Sequence, residues 1–488
     1  MESKPEKRGF SRIAIRGAGW YYSSFFSGKL ISFLTTVVLA RLLTKDDFGL
    51  VAYALTFIAF LEVMRDFGVG VSLIYHEESS KVSNTSFWLT LGIGIILFIV
   101  ALAAAPLTGA YFNDPRVIPV VSVLGLTFPL SALGGTHSFV LQKKLAFGLK
   151  FVPDLMSAIT KSVVSIAFAA LGFGPWSLIW GQIGGTAVWV LVLWIITPWR
   201  PAFEFDKLTA RSLLSYGSKL IGVDVMSIFS SNIDYLFIGR FLGSEILGVY
   251  SLAFRLPELL IVGFARIIGN VTFPIFMRMK DTPGNLLRGF YATTRYVSLI
   301  SIPLGIGLAL LARPFTLVVF TAKWIELIPI IQALSIYAML NSLVYNAGTI
   351  FKAEGHPEVI TWLEFAHLIM LFPSFWWAVI SVRSIVAVGW MHALVAFILD
   401  VVTIAVAVRL IGVSWFETFE SIRPSLIASF PMTLAVLFAL RMTEASDPIV
   451  ELIISILAGF VTYSAALWIF QRNLALDVFQ RVREAIVK

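Results

Sequence analysis

The sequence predicts an all-α, polytopic membrane protein with about fourteen transmembrane helices, arranged as two six-helix lobes plus two extra C-terminal helices. Three observations predict this fold: the composition, the recurrence of long apolar segments and an internal repeat. Of the 488 residues, 58% are hydrophobic and only 14% are charged. This leaves too little polar surface to cover a water-soluble globule, so we expect the chain to lie in a bilayer.

Long apolar segments recur along almost the whole chain and are separated by short polar breaks. Crossing a bilayer takes roughly 20 apolar residues. Because these segments lack the alternating pattern of an outer-membrane barrel, helices are the remaining way to satisfy the backbone hydrogen bonds in lipid. The predicted spans are 17–40, 48–75, 83–105, 117–140, 151–171, 176–197, 213–239, 246–275, 289–312, 325–350, 359–380, 385–408, 424–440 and 449–470.

One short motif occurs twice, 199 positions apart: VVLARLLTKDDFGLVAYAL at 37–55 and LFIGRFLGSEILGVYSLAF at 236–254. Six predicted spans separate equivalent points, so the two copies run in the same direction across the membrane. A parallel repeat of this kind predicts two lobes related by an axis along the membrane normal. The predicted domains are an N-lobe at 1–198, a cytoplasmic linker at 199–211, a C-lobe at 212–409, and spans 13 and 14 with a cytoplasmic tail at 410–488.

Lys and Arg residues orient the predicted bundle. With the N-terminus in the cytoplasm, 22 of the 37 Lys and Arg residues fall on the cytoplasmic side and 8 on the other. The positive-inside rule therefore places both termini in the cytoplasm. We expect the chain to lie in the cytoplasmic (inner) membrane. The excess positive charge lies where anionic lipid headgroups are, so it needs no nucleic-acid partner.

The motifs of several enzymes are missing. The segment SSFFSGKL at 23–30 lacks the first glycine and the final hydroxyl of a P-loop, and neither a His-Glu-x-x-His nor a Gly-x-Ser-x-Gly pattern occurs. The chain has no cysteine, which excludes disulfides and thiolate metal sites. We therefore expect neither an enzyme nor a bound cofactor or metal.

Charged residues inside the predicted spans are the candidate functional residues, since each costs roughly 2.5–3.5 kcal/mol at the centre of a lipid-facing helix. They are expected to face a cavity or one another. The bases proposed for substrate binding are Lys29, Arg65, Lys161, Lys219, Arg255 and Arg266. The acids proposed for ion coupling or charge pairing are Glu62, Asp66, Asp224, Asp234, Glu258 and Glu364, while Asp154 and Asp400 are interior acids without an assigned role.

Spacing predicts which of these charges pair. Glu62 and Arg65 lie three positions apart and so share a helix face. Arg255 and Glu258 do the same, and Arg266 is expected to continue their face. The alternative for each pair is a salt bridge without a role in substrate binding. Lys29 and Lys161 have no acid three or four positions away in the sequence, so each is expected to meet a partner from another helix or from a ligand.

Four segments resemble a known family of transporters: ARLLTKDDFGLVAYAL, MRDFGVGVSLIY, FGPWSLIWGQ and IDYLFIGRFLGSEILGVYSLAFRLPELL. They are similar to the Wzx-like polysaccharide flippases of the multidrug/oligosaccharidyl-lipid/polysaccharide exporter superfamily, in the branch of colanic acid and teichuronic acid exporters. The resemblance implies a V-shaped transporter that moves a polyprenyl-pyrophosphate-linked oligosaccharide between leaflets by alternating access. It also implies that cations of spans 1, 2 and 8 bind the pyrophosphate, here Lys29, Arg65, Arg255 and Arg266.

Further expectations concern the partners, the coupling ion and the aromatic residues. The partners would be the lipid-linked oligosaccharide, membrane lipids and the polysaccharide polymerase machinery; the chain would act as a monomer, coupled to H⁺ or Na⁺ or to no ion. Seven aromatic residues could stack on sugars, although such residues more often pack or anchor at the interface: Tyr21, Tyr22, Phe25, Phe26, Trp176, Trp180 and Trp189. Two alternatives remain: a cation-coupled multidrug exporter of the same fold, and a membrane enzyme of glycan polymerisation.

Overall fold

Almost every residue that the computed structural model describes is helical. The structure describes residues 27–65, 69, 79–144, 146–279, 284–472 and 476, without the side chains at 147, 216–224, 270, 271, 274 and 278. No strand occurs in this part of the chain, which confirms the all-α prediction.

The chain divides into two compact units, Met1–Gly248 and Val249–Lys488. The helices of the first unit are α1 (27–42), α2 (Lys45–Glu62), α3 (Ser80–Phe112), α4 (Val117–Leu124), α5 (Thr127–Lys143), α6 (Phe147–Ala170), α7 (Trp176–Ile196) and α8 (Lys207–Leu242). The predicted lobe boundaries at 198 and 212 remain a prediction.

Helix α9 (Ser244–Pro257) begins in the first unit, enters the second at Val249 and is followed there by a π-helical turn, Glu258–Val262. The second unit continues with α10 (Gly263–Met279), α11 (Asn285–Val319), α12 (Leu327–Glu354), α13 (Pro357–Trp376), α14 (Ile385–Ile411), α15 (Trp415–Thr443) and α16 (Pro448–Phe470). A second π turn, Trp377–Ser381, follows α13.

Each of the fourteen predicted spans overlaps one of these helices. Within the described residues, eleven helical segments are long and apolar enough to cross a membrane, with α4 and α5 forming one segment and α9 and α10 another. The other three predicted spans fall on α1, α2 and α8. The multi-pass fold is therefore confirmed, whereas the count of fourteen stays a prediction.

Side-chain caps start the helices that matter for the site. Thr44 Oγ1 accepts from Asp47 N at 3.1 Å, and Asp47 Oδ2 accepts from Thr44 N at 2.8 Å, so a reciprocal capping box begins α2. Asp206 Oδ2 accepts from Thr209 N at 2.8 Å and caps α8. Because this cap starts the helix at Lys207, residues 207–211 of the predicted linker are helical.

The remaining linker is held against the start of α3. Trp88 Nε1 donates to the Ala202 carbonyl at 2.8 Å, and the Trp88 ring stacks on Phe203 with centroids 4.8 Å apart. Lys81 pairs with Asp206 at 3.3 Å. The linker is thus fixed to the first unit by side-chain contacts along its length.

The second unit buries hydroxyls and exposes large apolar side chains. Ser298 of α11 lies 2.9 Å from Ser425 of α15, and Tyr463 of α16 donates to the Leu299 carbonyl at 2.8 Å. On the outside, Phe460 is 70% exposed. Such an apolar surface around a partly polar interior is expected in lipid, where helices associate through close packing and hydrogen bonds.

Candidate functional site

A polar cavity of about 500 Å³ lies in the first unit among α2, α4, α5, α6 and α7. Its lining includes apolar residues of α2 and four Ser or Thr hydroxyls from α5, α6 and α7. The charged, amide and indole groups that line it are Glu62, Arg65, Asp154, Gln182 and Trp189. Two of these, Glu62 and Arg65, belong to the candidates that the sequence predicts.

Glu62, the last residue of α2, forms an ion pair with Arg65 in the turn that follows, as their spacing predicts. Both side chains are about two-fifths exposed, at 40% and 44%. The positive charge of a guanidinium is partly neutralised by a carboxylate beside it. Arg65 therefore presents less positive charge to a ligand in this cavity than a lone arginine would.

The other cavity wall is built from contacts between α6 and α7. Trp189 Nε1 donates to Asp154 Oδ1 at 2.9 Å, and Lys161 Nζ donates to Gln182 Oε1 at 2.5 Å. The predicted need of Lys161 for a partner on another helix is thus met by an uncharged amide. Asp154 gains a role that helix spacing could not indicate, because its partner is 35 positions away on a different helix.

Two glycines of the segment GQIGG allow α7 to approach α6. A Cβ at Gly181 would lie 1.9 Å from Ser165 Oγ and 2.9 Å from the Lys161 carbonyl oxygen, and one at Gly185 would lie 3.0 Å from the Ser157 carbonyl oxygen. This Gly-x-x-x-Gly spacing is typical of close helix pairs in membranes. The glycines therefore set the distance across which Lys161 reaches Gln182.

Replacing Gly181 with alanine is expected to separate the two helices and lower stability by about 1–3 kcal/mol, the usual cost of overpacking. The loss of folded protein after heating in detergent, followed by size-exclusion chromatography, measures this effect. Gly184→Ala is the matched control, since its Cβ would meet Val164 at an ordinary 3.6 Å. Equal stability of the Gly181→Ala and Gly184→Ala variants would contradict the assignment.

A second cavity, of about 420 Å³, lies in the second unit among α10, α12, α13 and α14. It is lined by Glu364, predicted from the sequence, and by Asp400, His367 and Lys352. His367 Nδ1 lies 4.0 Å from Glu364 Oε2. The cavity thus combines two acids, an imidazole and an ammonium group, and the grouping of Asp400 with Glu364 depends on helix packing that the sequence does not reveal.

The other predicted site residues lie outside these two cavities or outside the description. Asp234 of α8 is buried, and its Oδ1 accepts from Tyr235 N at 2.9 Å. Lys29 on α1 and Arg266 on α10 are exposed. The side chains of Lys219 and Asp224 and all of Asp66 lie outside the described residues.

A π turn interrupts the predicted face of Arg255, Glu258 and Arg266, which stays a prediction. The π turn Glu258–Val262 follows Pro257 directly and separates Arg255 from Arg266. A π turn holds more residues per turn than an α-helix, so it rotates the residues that follow it. The angle between Arg255 and Arg266 therefore differs from the one that spacing by three and four predicts.

The two copies of the repeated motif contact each other within the first unit. A Cβ at Gly49 would lie 1.8 Å from the Ser244 carbonyl oxygen, and a Cβ at Gly248 would lie 2.0 Å from the Lys45 carbonyl oxygen. With the offset of 199 positions, Gly248 is the counterpart of Gly49, and Ser244 is the counterpart of Lys45. The contact is therefore pseudo-symmetric: each copy places its glycine against the same position of the other. We call it the repeat junction.

Polar contacts surround the repeat junction with the same symmetry. Ser244 Oγ donates to Asp46, and Glu245, the counterpart of Asp46, lies 3.9 Å from Lys45. Arg116 donates to both oxygens of Asp46 at 2.7 and 3.1 Å. These hydrogen bonds from Arg116 and Ser244 lower the pKa of the Asp46 carboxyl below its usual value, so the aspartate stays charged at neutral pH.

Aromatic packing adds to the contacts beside the junction. The Tyr53 hydroxyl donates to the Gly239 carbonyl at 3.0 Å, and the Tyr53 ring stacks on Phe112 with centroids 4.1 Å apart. Gly239 lies so close that an added Cβ would be 2.6 Å from the Phe112 ring. Helices α2, α3 and α8 are thus packed together just behind the glycine contact.

Comparison with known proteins identifies the family. The family described as polysaccharide biosynthesis protein matches residues 38–329, more than half of the chain. The chain belongs to this family. It is 25% identical to the teichuronic acid biosynthesis protein TuaB of Bacillus subtilis over 92% of this chain and 93% of that protein. It is 26% identical to the succinoglycan biosynthesis transport protein ExoT of Rhizobium meliloti over 97% and 96% of the two chains.

A third relative is the lipopolysaccharide biosynthesis protein WzxC of Escherichia coli, which is 27% identical over 71% of each chain. Among solved structures, the fold is similar to the lipid II flippase MurJ, with a TM-score of 0.75 at 15% identity over 93% of this chain and 99% of that one. It is also similar to an inward-facing multidrug transporter of the MATE family, with a TM-score of 0.64 at 15% identity over 79% and 94%. The fold is thus shared by flippases and drug exporters.

Proposed function

We propose that this polysaccharide biosynthesis protein is a flippase, which moves a polyprenyl-pyrophosphate-linked oligosaccharide across the cytoplasmic membrane for surface polysaccharide assembly. The family match over residues 38–329 is the observation that carries the proposal. Full-length similarity to a protein named as a succinoglycan biosynthesis transport protein supports it. The fold alone does not distinguish a flippase from a multidrug exporter, whereas these relatives favour the flippase and argue against a polymerising enzyme.

We assign the repeat junction to the extracytoplasmic side, where the positive-inside rule places the loops at 41–47 and 240–245. Both termini would then be cytoplasmic, and a monomer would suffice for transport. Alternating access requires that contacts on one side break when the cavity opens to that side. The junction suits this role, because its glycines allow close contact while its hydrogen bonds and ion pairs can exchange with water.

The phosphates of the substrate would be bound by cations of the predicted spans, of which we propose Lys29, Arg255 and Arg266. Guanidinium and ammonium groups replace the hydration of phosphate oxygens. If an ion drives transport, the cavity with Glu364, His367 and Asp400 is our proposed place for H⁺ or Na⁺ to act. The polysaccharide polymerase machinery is the proposed receiver of the flipped substrate.

Complementation of a flippase-null strain tests the function and the Lys29 assignment together. The unaltered chain should restore surface polysaccharide, and Lys29→Ala should abolish it without loss of folded protein in the membrane, since removing a costly interior charge does not harm helix insertion. Lys29→Arg should keep part of the activity, because the charge remains while its geometry changes.

Two different results would contradict these proposals. If the unaltered chain restores no polysaccharide in a strain that supplies its matching lipid-linked substrate, the flippase function fails. If well-folded Lys29→Ala gives normal polysaccharide, only the assignment of this lysine fails. Immunodetection of the protein in isolated membranes distinguishes loss of transport from loss of protein.

A further inference from the structure

We propose that the linker between the two predicted lobes binds the surface of an anionic phospholipid bilayer. The contact uses five exposed residues, which we call the linker surface: Phe203, Phe205, Lys207, Leu208 and Arg211. All five belong to the first unit. The proposed contact does not depend on which substrate the protein transports, so it goes beyond the flippase function.

The place of the linker along α3 sets its depth in the membrane. Side chains of α3 between Lys81 and Trp88 bond the linker from one helix face, over about 10 Å of helix. These residues include the polar segment SKVSNTS at 80–86 and the start of the apolar run that follows it. The boundary between a polar helix end and an apolar span lies at the level of the lipid headgroups. The linker is therefore held at that level.

The contacts inside the first unit occupy both acids of the linker. Glu204 Oε2 accepts from Asn84 Nδ2 at 3.1 Å. Asp206 pairs with Lys81 at 3.3 Å and accepts from Thr209 N at 2.8 Å. Neither carboxylate belongs to the linker surface, and neither has to give up a partner when that surface meets an anionic bilayer.

Lys207 and Arg211 supply the positive charge of the linker surface. They lie four positions apart at the start of α8 and so share a helix face. Both are exposed, and within the residues that the structure describes neither forms an ion pair. The helix dipole disfavours a cation at the first residue of a helix, so Lys207 does not serve to stabilise α8. The phosphate groups of lipids are the anions present at this depth.

The net charge around the linker favours an anionic surface over a neutral one. Six charged residues lie in 199–211 or on the α3 face that bonds it, and their formal charge is +2: Lys81, Arg200, Glu204, Asp206, Lys207 and Arg211. Basic segments beside a membrane are attracted to negatively charged headgroups. We therefore expect this contact to select phosphatidylglycerol over phosphatidylcholine.

Three large apolar side chains complete the linker surface. Phe203 and Leu208 are 95% and 79% exposed, and Phe205 is 52% exposed. Such exposure is unfavourable in water, whereas at the headgroup level these side chains reach the apolar part of the bilayer. Basic residues together with aromatic and aliphatic ones are typical of segments that lie in the interface of an anionic membrane. A lipid surface is thus the partner that fits both the depth and the chemistry.

Fluorescence quenching by spin-labelled lipids tests the proposal in the full chain. The chain has no cysteine and Ala202 is exposed, so Ala202→Cys accepts one fluorophore beside the linker surface. The protein is reconstituted in vesicles of phosphatidylcholine and phosphatidylglycerol in equal parts. In one set the phosphatidylglycerol carries a nitroxide near the headgroup end of its acyl chain, and in the other the phosphatidylcholine does. We expect phosphatidylglycerol to quench more strongly, by at least about threefold.

Variants in the same labelled chain separate charge from apolar contact. Lys207→Gln with Arg211→Gln should make quenching by the two lipids nearly equal. Lys143→Gln with Lys144→Gln is the matched control, because it removes the same charge from the end of α5 and should leave the preference unchanged. Leu208→Ser should reduce quenching by both lipids, since the linker would then lie farther from the acyl chains.

Three results would overturn the proposal. Equal quenching by the two lipids in the unaltered linker would show that the contact does not select anionic lipid. A preference that persists in the Lys207→Gln and Arg211→Gln variant would show that these bases do not create it. Absence of quenching by either lipid would show that a second copy of the chain or water, and not lipid, covers the linker surface. None of these results bears on the flippase function, which complementation measures separately.

Discussion

Alanine at Gly49 or at Gly248 is expected to abolish polysaccharide export. Each added Cβ would lie at most 2.0 Å from a backbone carbonyl oxygen of the other motif copy, and no rotation of a side chain relieves a clash with backbone. The repeat junction would therefore not form. If the junction closes the transporter on one side, the variants would populate states in which that side stays open, and the transport cycle would stop.

The effect is measured as surface polysaccharide in a complemented flippase-null strain. We expect a loss of at least about tenfold, because a shift of about 1.4 kcal/mol in the conformational equilibrium already changes populations by that factor. Gly92→Ala is the matched control: Gly92 is also helical, and its added Cβ would have nothing within 4 Å. A Gly49→Ala variant that is inserted normally and exports at the level of Gly92→Ala would show that the close contact is not needed.

The sequence repeat predicted which residues of this junction are equivalent, which residue types alone could not do. Alignment of 37–55 with 236–254 identified the equivalence of Gly49 and Gly248. That the two glycines cross, each lying against the other copy, could not be predicted, because contact depends on how α2 and α9 approach each other. The role of Arg116 could not be predicted either, because its partner Asp46 is 70 positions away and no local spacing links them.

The cavity of the first unit illustrates the same limit. Spacing by three correctly paired Glu62 with Arg65, although the turn that ends α2, and not a helix face, brings the two side chains together. It could not pair Asp154 with Trp189 or Lys161 with Gln182, since these contacts cross from α6 to α7. The Gly-x-x-x-Gly spacing of Gly181 and Gly185 was the available signal for that close helix pair.

The π turn after Pro257 marks a different limit. Periodicity arguments assume about 100° per residue, so one wider turn changes the face of every residue beyond it. Pro257 was the sequence signal for an irregularity in this helix, because proline removes a backbone hydrogen-bond donor. Charges placed by spacing across such a proline, here Arg255 and Arg266, cannot be assigned to one face from sequence.

Cross-linking the repeat junction is expected to stop transport reversibly. Asp46 and Ser244 touch through their side chains, so Asp46→Cys together with Ser244→Cys brings two thiols within reach of oxidation or of a short bifunctional thiol reagent. A cross-link here would hold the junction closed, and a transporter that must open on that side would complete no cycle. The chain has no native cysteine, so only the introduced pair can react.

Substrate translocation in vesicles, measured before and after the cross-link and again after its reduction, decides the result. The Asp46→Cys single variant controls for loss of the Asp46 contact to Arg116, and the Ser244→Cys single variant controls for loss of the Ser244 hydroxyl. Thr35→Cys with Ser162→Cys is the matched pair: their hydroxyls lie 2.6 Å apart on α1 and α6, within the predicted N-lobe and away from the junction. This cross-link should leave transport unchanged. Full transport with the junction completely cross-linked would rule out opening at the repeat junction, because a covalent bond across the contact forbids the separation that alternating access requires there.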